Sequence, residues 1–249
     1  MRANLSLRKP ILVPDWDPPE GVNCCFTNRK GGVSKKPYSS FNLAANVRDN
    51  SADVQNNRRI LKQVCGLETE PLWLTQVHGN KIVDSSKYKP AIKADGCITS
   101  ISGLACVVTV ADCLPILITD IYGDQVAAVH AGWRGIEKNI LSNAVHSFSA
   151  APCKLRVWIG PSISRNKYEV NADLKKRFEC LPSFSEKDFD KKGPKFLFDL
   201  KSYALRELRR CGVEQVETDR RCVYTEKQLF YSYRRQGHCG RMAALIWKI

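Results

Sequence analysis

Three apolar runs decide how this chain folds: Leu104-Ala-Cys-Val-Val-Thr-Val110, Pro115-Ile-Leu-Ile-Thr119 and Gln125-Val-Ala-Ala-Val-His130. Short polar turns, Asp112-Cys113 and the Asp120–Asp124 region, separate them. Continuous apolar runs this short describe strands buried on both faces, because a strand with one wet side alternates polar and apolar residues. Working outward, strands are expected at 24–27, 72–77, 155–159 and 243–247. A helix is expected over 53–65, with Val54, Leu61 and Val64 on one face and Gly66 as its stop. A second is expected over 136–148, where Ile136, Ile140, Leu141, Ala144, Val145 and Phe148 share a stripe. A third, over 200–211, takes Asp199 as its cap. Helices and strands do not alternate strictly. The pattern therefore predicts an α+β (mixed α/β) fold layered on a mixed sheet, not a doubly wound parallel one. Residues 1–22, with Pro10, Pro14, Pro18 and Pro19, read as an irregular arm, and 186–195, with Gly193-Pro194, as an exposed loop. There is no Gly/Ser linker, low-complexity segment or internal repeat, so one domain over 1–249 is expected.

Composition narrows the function. The 249 residues are 43% hydrophobic and 26% charged, a globular balance. No apolar stretch approaches the ~20 residues of a membrane helix. No apolar segment precedes Pro10, which argues against a signal peptide and for a cytoplasmic protein. The 11 cysteines are odd in number and contain no C-x-x-C pair. That pattern fits reduced thiols, most of them (Cys106 and Cys153, for example) small core residues. Lysine and arginine number 39 against 25 acids, a net charge of +14. Such a surface attracts nucleic acids, phosphorylated small molecules or anionic membranes. With no nucleic-acid motif beside it, the solubilising surface of an enzyme is the preferred reading. Four histidines exclude a multicopper centre, which needs on the order of ten imidazoles.

The four histidines differ in setting. His146 lies off the apolar stripe of its helix and His238 sits in Gly237-His-Cys-Gly240, a flexible turn. His78 and His130 each end an apolar strand and run into a glycine turn, as Val77-His78-Gly79 and Val129-His130-Ala-Gly132. Cys113 likewise follows a strand, just after Asp112. Strand ends feeding loops are where a rigid scaffold presents functional side chains. A His₂Cys set suits a zinc ion with an open fourth position, which supplies a nucleophile at neutral pH. It also suits a cysteine nucleophile with a histidine base. Blue copper fits less well, since only Met1 and Met242 offer an axial thioether. Two buried histidines and a core cysteine that never meet remain equally open at this point.

Longer motifs carry further. Thr75-Gln-Val-His-Gly79, Ala94-Asp-Gly96, Val110-Ala-Asp-Cys-Leu-Pro-Ile116, Ala128-Val-His-Ala-Gly-Trp-Arg-Gly135, Ile159-Gly-Pro161 with Tyr168-Glu-Val170, and Tyr231-Ser-Tyr-Arg-Arg235 closing at Gly240-Arg241 occur in this order. Together they resemble the laccase-domain, YfiH-like family, once labelled polyphenol oxidases and now regarded as purine nucleoside phosphorylases. The resemblance covers essentially the whole chain from about Asn23. It implies a mixed β-sandwich core flanked by helices, similar to toxin-deamidase-like cysteine hydrolases, and a zinc site of His78, Cys113 and His130. It further implies phosphorolysis of adenosine, inosine, guanosine and S-methyl-5'-thioadenosine, and deamination of adenosine. Purine nucleosides and phosphate would be its partners, and copper is disfavoured by the histidine count. The chain departs from the family where Ser40-Phe-Asn-Leu-Ala44 leads to Asn46-Val-Arg48-Asp49, without the usual His and Gly. Cys239 also replaces an expected Thr.

Roles follow by position. Asp112 is the carboxylate beside a ligand, available as a proton shuttle or as a turn residue. Arg134, in the turn after His130, offers a guanidinium fork for phosphate, aided by the N-terminus of the helix from Ile136. Asn42 and Arg58 are candidates for ribose or phosphate contacts. Two other readings compete: a metal-free Cys113–His amidase acting on peptide or cell-wall precursors, and a basic nucleic-acid-binding module.

Overall fold

The central runs do form strands in the computed structural model, which describes residues 10–249. They are β5 (Cys106–Val110), β6 (Leu114–Asp120) and β7 (Val126–Ala131), buried throughout except at Thr109. They do not all lie side by side. β6 and β7 pair as an antiparallel hairpin, with Ile116 opposite Val129 and Pro115 opposite His130. They are flanked by β8 (Leu155–Ile159) and β12 (Gln215–Thr218) on one side, and by β4 (Gly96–Thr99) and β3 (Ile82–Asp84) on the other. The outer pairs β12–β8 and β3–β4 are parallel, so this six-stranded sheet is mixed. β5 crosses to a second, antiparallel sheet in the order β1 (Ile11–Leu12), β2 (Val22–Thr27), β13 (Met242–Lys248), β5. The chain changes sheet at Asp112, whose φ of +95° lies in the left-handed region. Cys113 is the next residue.

Period-two alternation sorts the side chains into layers. Val108 and Val110 of β5, with Phe26, Ala244 and Ile246 beside them, pack onto Leu117, Val126, Ala128 and Trp158 of the larger sheet. The alternate residues Val107, Leu245 and Cys25 face Leu61 of α1 (Ser51–Cys65) together with Phe41 and Leu43. On the far side, Ile116, Ile118, Val129 and Val157 face α3 (Ile140–His146) and α5 (Leu200–Arg210). The result is the expected sandwich with a helical layer outside each sheet. Asn50 caps α1 by accepting from Ala52 and Asp53, Gly66 ends it with a φ of 64°, and Asp199 caps α5 through the Ser202 N–H at 3.0 Å.

Four expectations change. The 136–148 helix is two helices, α2 (Trp133–Glu137) and α3, because Asn139 adopts a φ of 66° between them. Helix therefore starts before Ile136, and Arg134 lies on it instead of in a preceding turn. The 72–77 segment makes only isolated bridges, Leu72 to Cys106 and Thr75 to Lys93, so it is an extended connection and His78 ends no strand. The 186–195 stretch is not a loop. β10 (Phe189–Lys192) and β11 (Lys195–Phe198) form a hairpin turning at Gly193, with β9 (Glu169–Val170) beside β11. Phe189 stacked on Phe198 at 4.3 Å anchors it over α4 (Ala172–Glu179) through Phe178. Cys153 is exposed on a 3-10 turn, not in the core. All eleven cysteines are free thiols. Of the N-terminal arm, residues 1–9, including Met1, lie outside the described residues. Among the described residues no helix is long and apolar enough to cross a membrane.

Candidate metal centre

His130 is two residues beyond Ala128 on β7, so alternation aims its ring into the space between the sheets. Cys113 enters the same space from the crossover before β6. His78 arrives from a loop and holds a φ of 55°. Left-handed backbone is unfavourable for a residue with a side chain, so something must hold it. Asp95, fully buried, does so. Its carboxylate accepts the consecutive N–H groups of Val77, His78 and Gly79 at 3.2, 2.9 and 2.7 Å, and meets His130 Nδ1 at 2.9 Å. With Nδ1 engaged, Nε2 is the ring atom His130 has free for a ligand. The donor atoms of His78, Cys113 and His130 lie within 4.8 Å of one another. Gly132 closes the space: a Cβ there would sit 2.9 Å from Cys113 Sγ and 3.2 Å from His78 Cδ2. Asp95 was not singled out from the sequence, although it stands in the Ala94-Asp-Gly96 motif.

The electrostatics follow from this packing. Burial pushes the Cys113 thiol up, but the charge of His130 and hydrogen bonds to His130 and His78 outweigh it and bring it down to about 6. Burial opposes charge on His130 too, yet Cys113 and Asp95 raise it to about 9. Desolvation likewise works against the Asp95 carboxylate, which hydrogen bonds from His130 and the 77–79 backbone nevertheless hold below its ordinary range. These directions favour a thiolate–imidazolium pair backed by a carboxylate when no metal is bound.

A cavity of about 540 Å³ opens over the trio. Its walls include Asp112, Arg134, Tyr168, Tyr233, Arg234 and Arg241, the last three at or near α6 (Tyr233–Gln236). Among the described residues none of the three arginines forms an ion pair. Arg134 stacks on Trp133, its guanidinium carbon 4.2 Å from the ring centroid, and makes no side-chain hydrogen bond among the described residues. Arg234 donates to the Glu169 carbonyl and Arg241 to the Cys239 carbonyl, both at 2.7 Å. Asp112 accepts from Ser232 Oγ and the Arg234 N–H, both at 2.6 Å, and burial raises its carboxyl. The structure therefore gathers His78, Cys113, His130, Asp112 and Arg134. It does not bring Asn42 or Arg58 to this cavity. Buried Asn42 bridges Ala44, Asp49 and the Arg241 N–H. Arg58 stacks 3.8 Å over Trp73 in a small side cavity. Arg234 and Arg241 were quoted in motifs but given no role. A guanidinium in a motif does not reveal whether a carboxylate neutralises it.

The departure at Arg48 has a visible form. Arg48 keeps a φ of 65°, so the backbone shape that a glycine favours is present without the glycine. Asn46 and Val47 beside it line the cavity.

A family model described as "Multi-copper polyphenol oxidoreductase laccase" matches residues 23–249, and the chain belongs to that family. It is 40% identical to purine nucleoside phosphorylase YfiH of Shigella flexneri, covering 96% of this chain and 99% of that one. The Escherichia coli K12 protein of the same name is 39% identical over the same shares. A solved Neisseria meningitidis structure superposes with a TM-score of 0.92 at 37% identity, covering 96% of this chain and 99% of that one. YlmD of Geobacillus stearothermophilus follows at 0.91 and 30%, covering 96% of each.

The donor set tests the metal that the family description names. Two imidazoles and a thiolate suit zinc with an open position; blue copper adds a weak axial ligand. Met242 Sδ accepts the Tyr231 N–H in the core at 3.1 Å. The Gln76 amide is spent on Thr109, donating to its carbonyl and accepting its N–H and hydroxyl, each at 2.8 Å. Neither is free to serve as an axial ligand. Among the described residues, His146 and His238 are exposed and outside the trio.

Proposed function

We propose that the chain is a single-domain, zinc-dependent purine nucleoside phosphorylase of the cytoplasm. It takes adenosine, inosine, guanosine and S-methyl-5'-thioadenosine to free base and the ribose 1-phosphate (or its methylthio analogue), and also deaminates adenosine to inosine. The observation that carries this is the placement of three arginines, none in an ion pair among the described residues, over a His₂Cys donor set in one nucleoside-sized cavity. The names of the curated relatives support the same reading. His78, Cys113 and His130 would hold zinc, which would supply a Lewis acid. The rest falls to the protein. Arg134, stacked on Trp133 and in no ion pair among the described residues, orients phosphate, whose oxygen attacks the anomeric carbon as the glycosidic bond breaks and the base leaves with the bonding pair. Arg234 and Arg241 add charge where the anion collects. Asn42 acts by holding Arg241, and Asp112 by tying α6 to Cys113. Arg58 is left as a support of the neighbouring wall.

A second reading has its own observation. Asp95, His130 and Cys113 are connected as a Cys-His-Asp triad, which suits a metal-free amidase. A triad leaves His78 without a task, although the 77–79 backbone is held in an unfavourable shape to bring it there. Zinc reading and triad reading part on elemental analysis and products. Zinc-loaded protein is incubated with adenosine, with and without phosphate. Phosphate-dependent adenine and ribose 1-phosphate support phosphorolysis, and phosphate-independent inosine supports deamination. Cys113→Ala should abolish zinc and both reactions. Full activity in metal-free protein, or in Cys113→Ala, overturns the assignment.

A further inference from the structure

Of the residues behind the +14 charge, several gather away from the metal cavity. A second, shallow and wide-open depression lies where the loop around Arg29 and Ser40 meets the Lys227-Gln228 turn and the end of α6. Arg29, Lys30, Lys227 and Arg235 line it, and among the described residues no carboxylate does, Asp112 acting on Arg235 from the metal-cavity side. Like charges on a concave wall repel, so their convergence needs a structural cause. Backbone carbonyls supply it. Arg29 donates to the Ser39 and Lys227 carbonyls, and its guanidinium lies 4.7 Å from the Tyr231 ring centroid. Arg235 donates to the carbonyls of Val223, Tyr224 and Phe230. Carbonyl oxygens fix a guanidinium without cancelling its charge. Burial, and then the charge of Arg29, hold Arg235 below its ordinary value, so the two groups feel each other. Among the described residues Arg29 uses three of its five N–H groups on carbonyls, which leaves two.

We propose that this basic depression is a second anion site, separate from the metal centre, which takes a phosphate group as the free ion or as a phosphomonoester. Fixed guanidinium groups supply the field, and Lys30 and Lys227, both exposed, reach the anion from the rim. The site shares a wall with the metal cavity. Tyr233 and Arg234 of α6 face the metal cavity, while Arg235 and Gln236 face this one. An anion here therefore bears on the short helix whose Arg234 N–H is bonded to Asp112, beside Cys113.

The test is a calorimetric titration at fixed ionic strength, since salt screens exposed charge. Inorganic phosphate and ribose 5-phosphate are titrated separately into the whole protein, into Arg134→Ala, and into Arg134→Ala carrying Lys30→Glu and Lys227→Glu. The lysine changes lie at exposed positions, and a thermal melt confirms that each variant is folded. Arg134→Ala should still bind one of the two probes, and the added reversals should weaken that binding on the order of tenfold or more. The probe bound tighter identifies the source of the phosphate group. The proposal is overturned if Arg134→Ala binds neither probe, or if the reversals leave its affinity unchanged. The titration reads no nucleoside turnover, so a failure of the phosphorylase reading leaves it standing.

Discussion

Asp95 Oδ1 lies 2.9 Å from both His130 Nδ1 and the backbone nitrogen of His78, so one carboxylate oxygen orients two of the three proposed ligands. It acts on them in different ways. On His130 it selects which ring nitrogen is free, and on His78 it holds the main chain in a left-handed turn. Removing it leaves three N–H groups without their acceptor and His130 free to rotate.

Asp95→Ala should therefore weaken zinc binding by about 10–100-fold, the usual cost of losing a carboxylate behind a metal-bound histidine. It should also destabilise the fold by roughly 2–4 kcal/mol through the orphaned N–H groups. Competition with a chromogenic chelator measures the first and urea unfolding of metal-free protein the second. Unchanged affinity would mean that the ligands are placed by their strands alone.

Gly132 offers a steric test of the same site. Its φ of −81° suits any residue, so a substitution meets no backbone objection. The obstacle is Cys113 Sγ, 2.9 Å from where a Cβ would lie. Gly132→Ala should displace the thiol and reduce bound zinc severalfold, while shifting the melting temperature of the metal-free protein by only a few degrees. Metal content after dialysis, set beside the melt, separates the two effects.

The sandwich was readable because its central strands are largely apolar, and β6, β7, β8 and β13 fall within two residues of the expected positions. What was not readable depended on contacts between distant segments. Asn139 breaks a helix whose apolar stripe runs on unbroken, and Phe189 makes a strand of a charged stretch by stacking on Phe198. The metal trio was proposed because His78, His130 and Cys113 read as strand ends feeding loops and the family resemblance implies the same three, although His78 proves to end no strand. Asp95 was passed over because a carboxylate turned inward looks, in sequence, like one turned out.

Proton release provides a pH test. Without metal, Cys113 at about 6 and His130 at about 9 make the pair a thiolate and an imidazolium at pH 7.5. A metal takes the thiolate and a neutral imidazole, so one proton must leave. Binding at pH 7.5 should release about one proton, and affinity should rise with pH up to about 9. Below about 6 the thiol holds a proton as well, and affinity should fall more steeply with acid. Calorimetry in buffers of differing ionisation enthalpy counts the protons; no release at pH 7.5 would mean that His130 is already neutral.

Arg48 gives the last test, away from the metal. Its φ of 65° is costly for a residue with a Cβ, and the exposed side chain makes no hydrogen bond among the described residues to offset that. Glycine removes the strain but adds freedom to the unfolded chain, which returns part of the gain. Arg48→Gly should raise stability by about 0.5–1 kcal/mol, read as a higher urea midpoint at constant slope. Because Val47 and Asn46 line the metal cavity, the same variant reports on function. A nucleoside KM unchanged within about twofold means that Arg48 matters only for the backbone. A large rise means that its charge acts on the substrate.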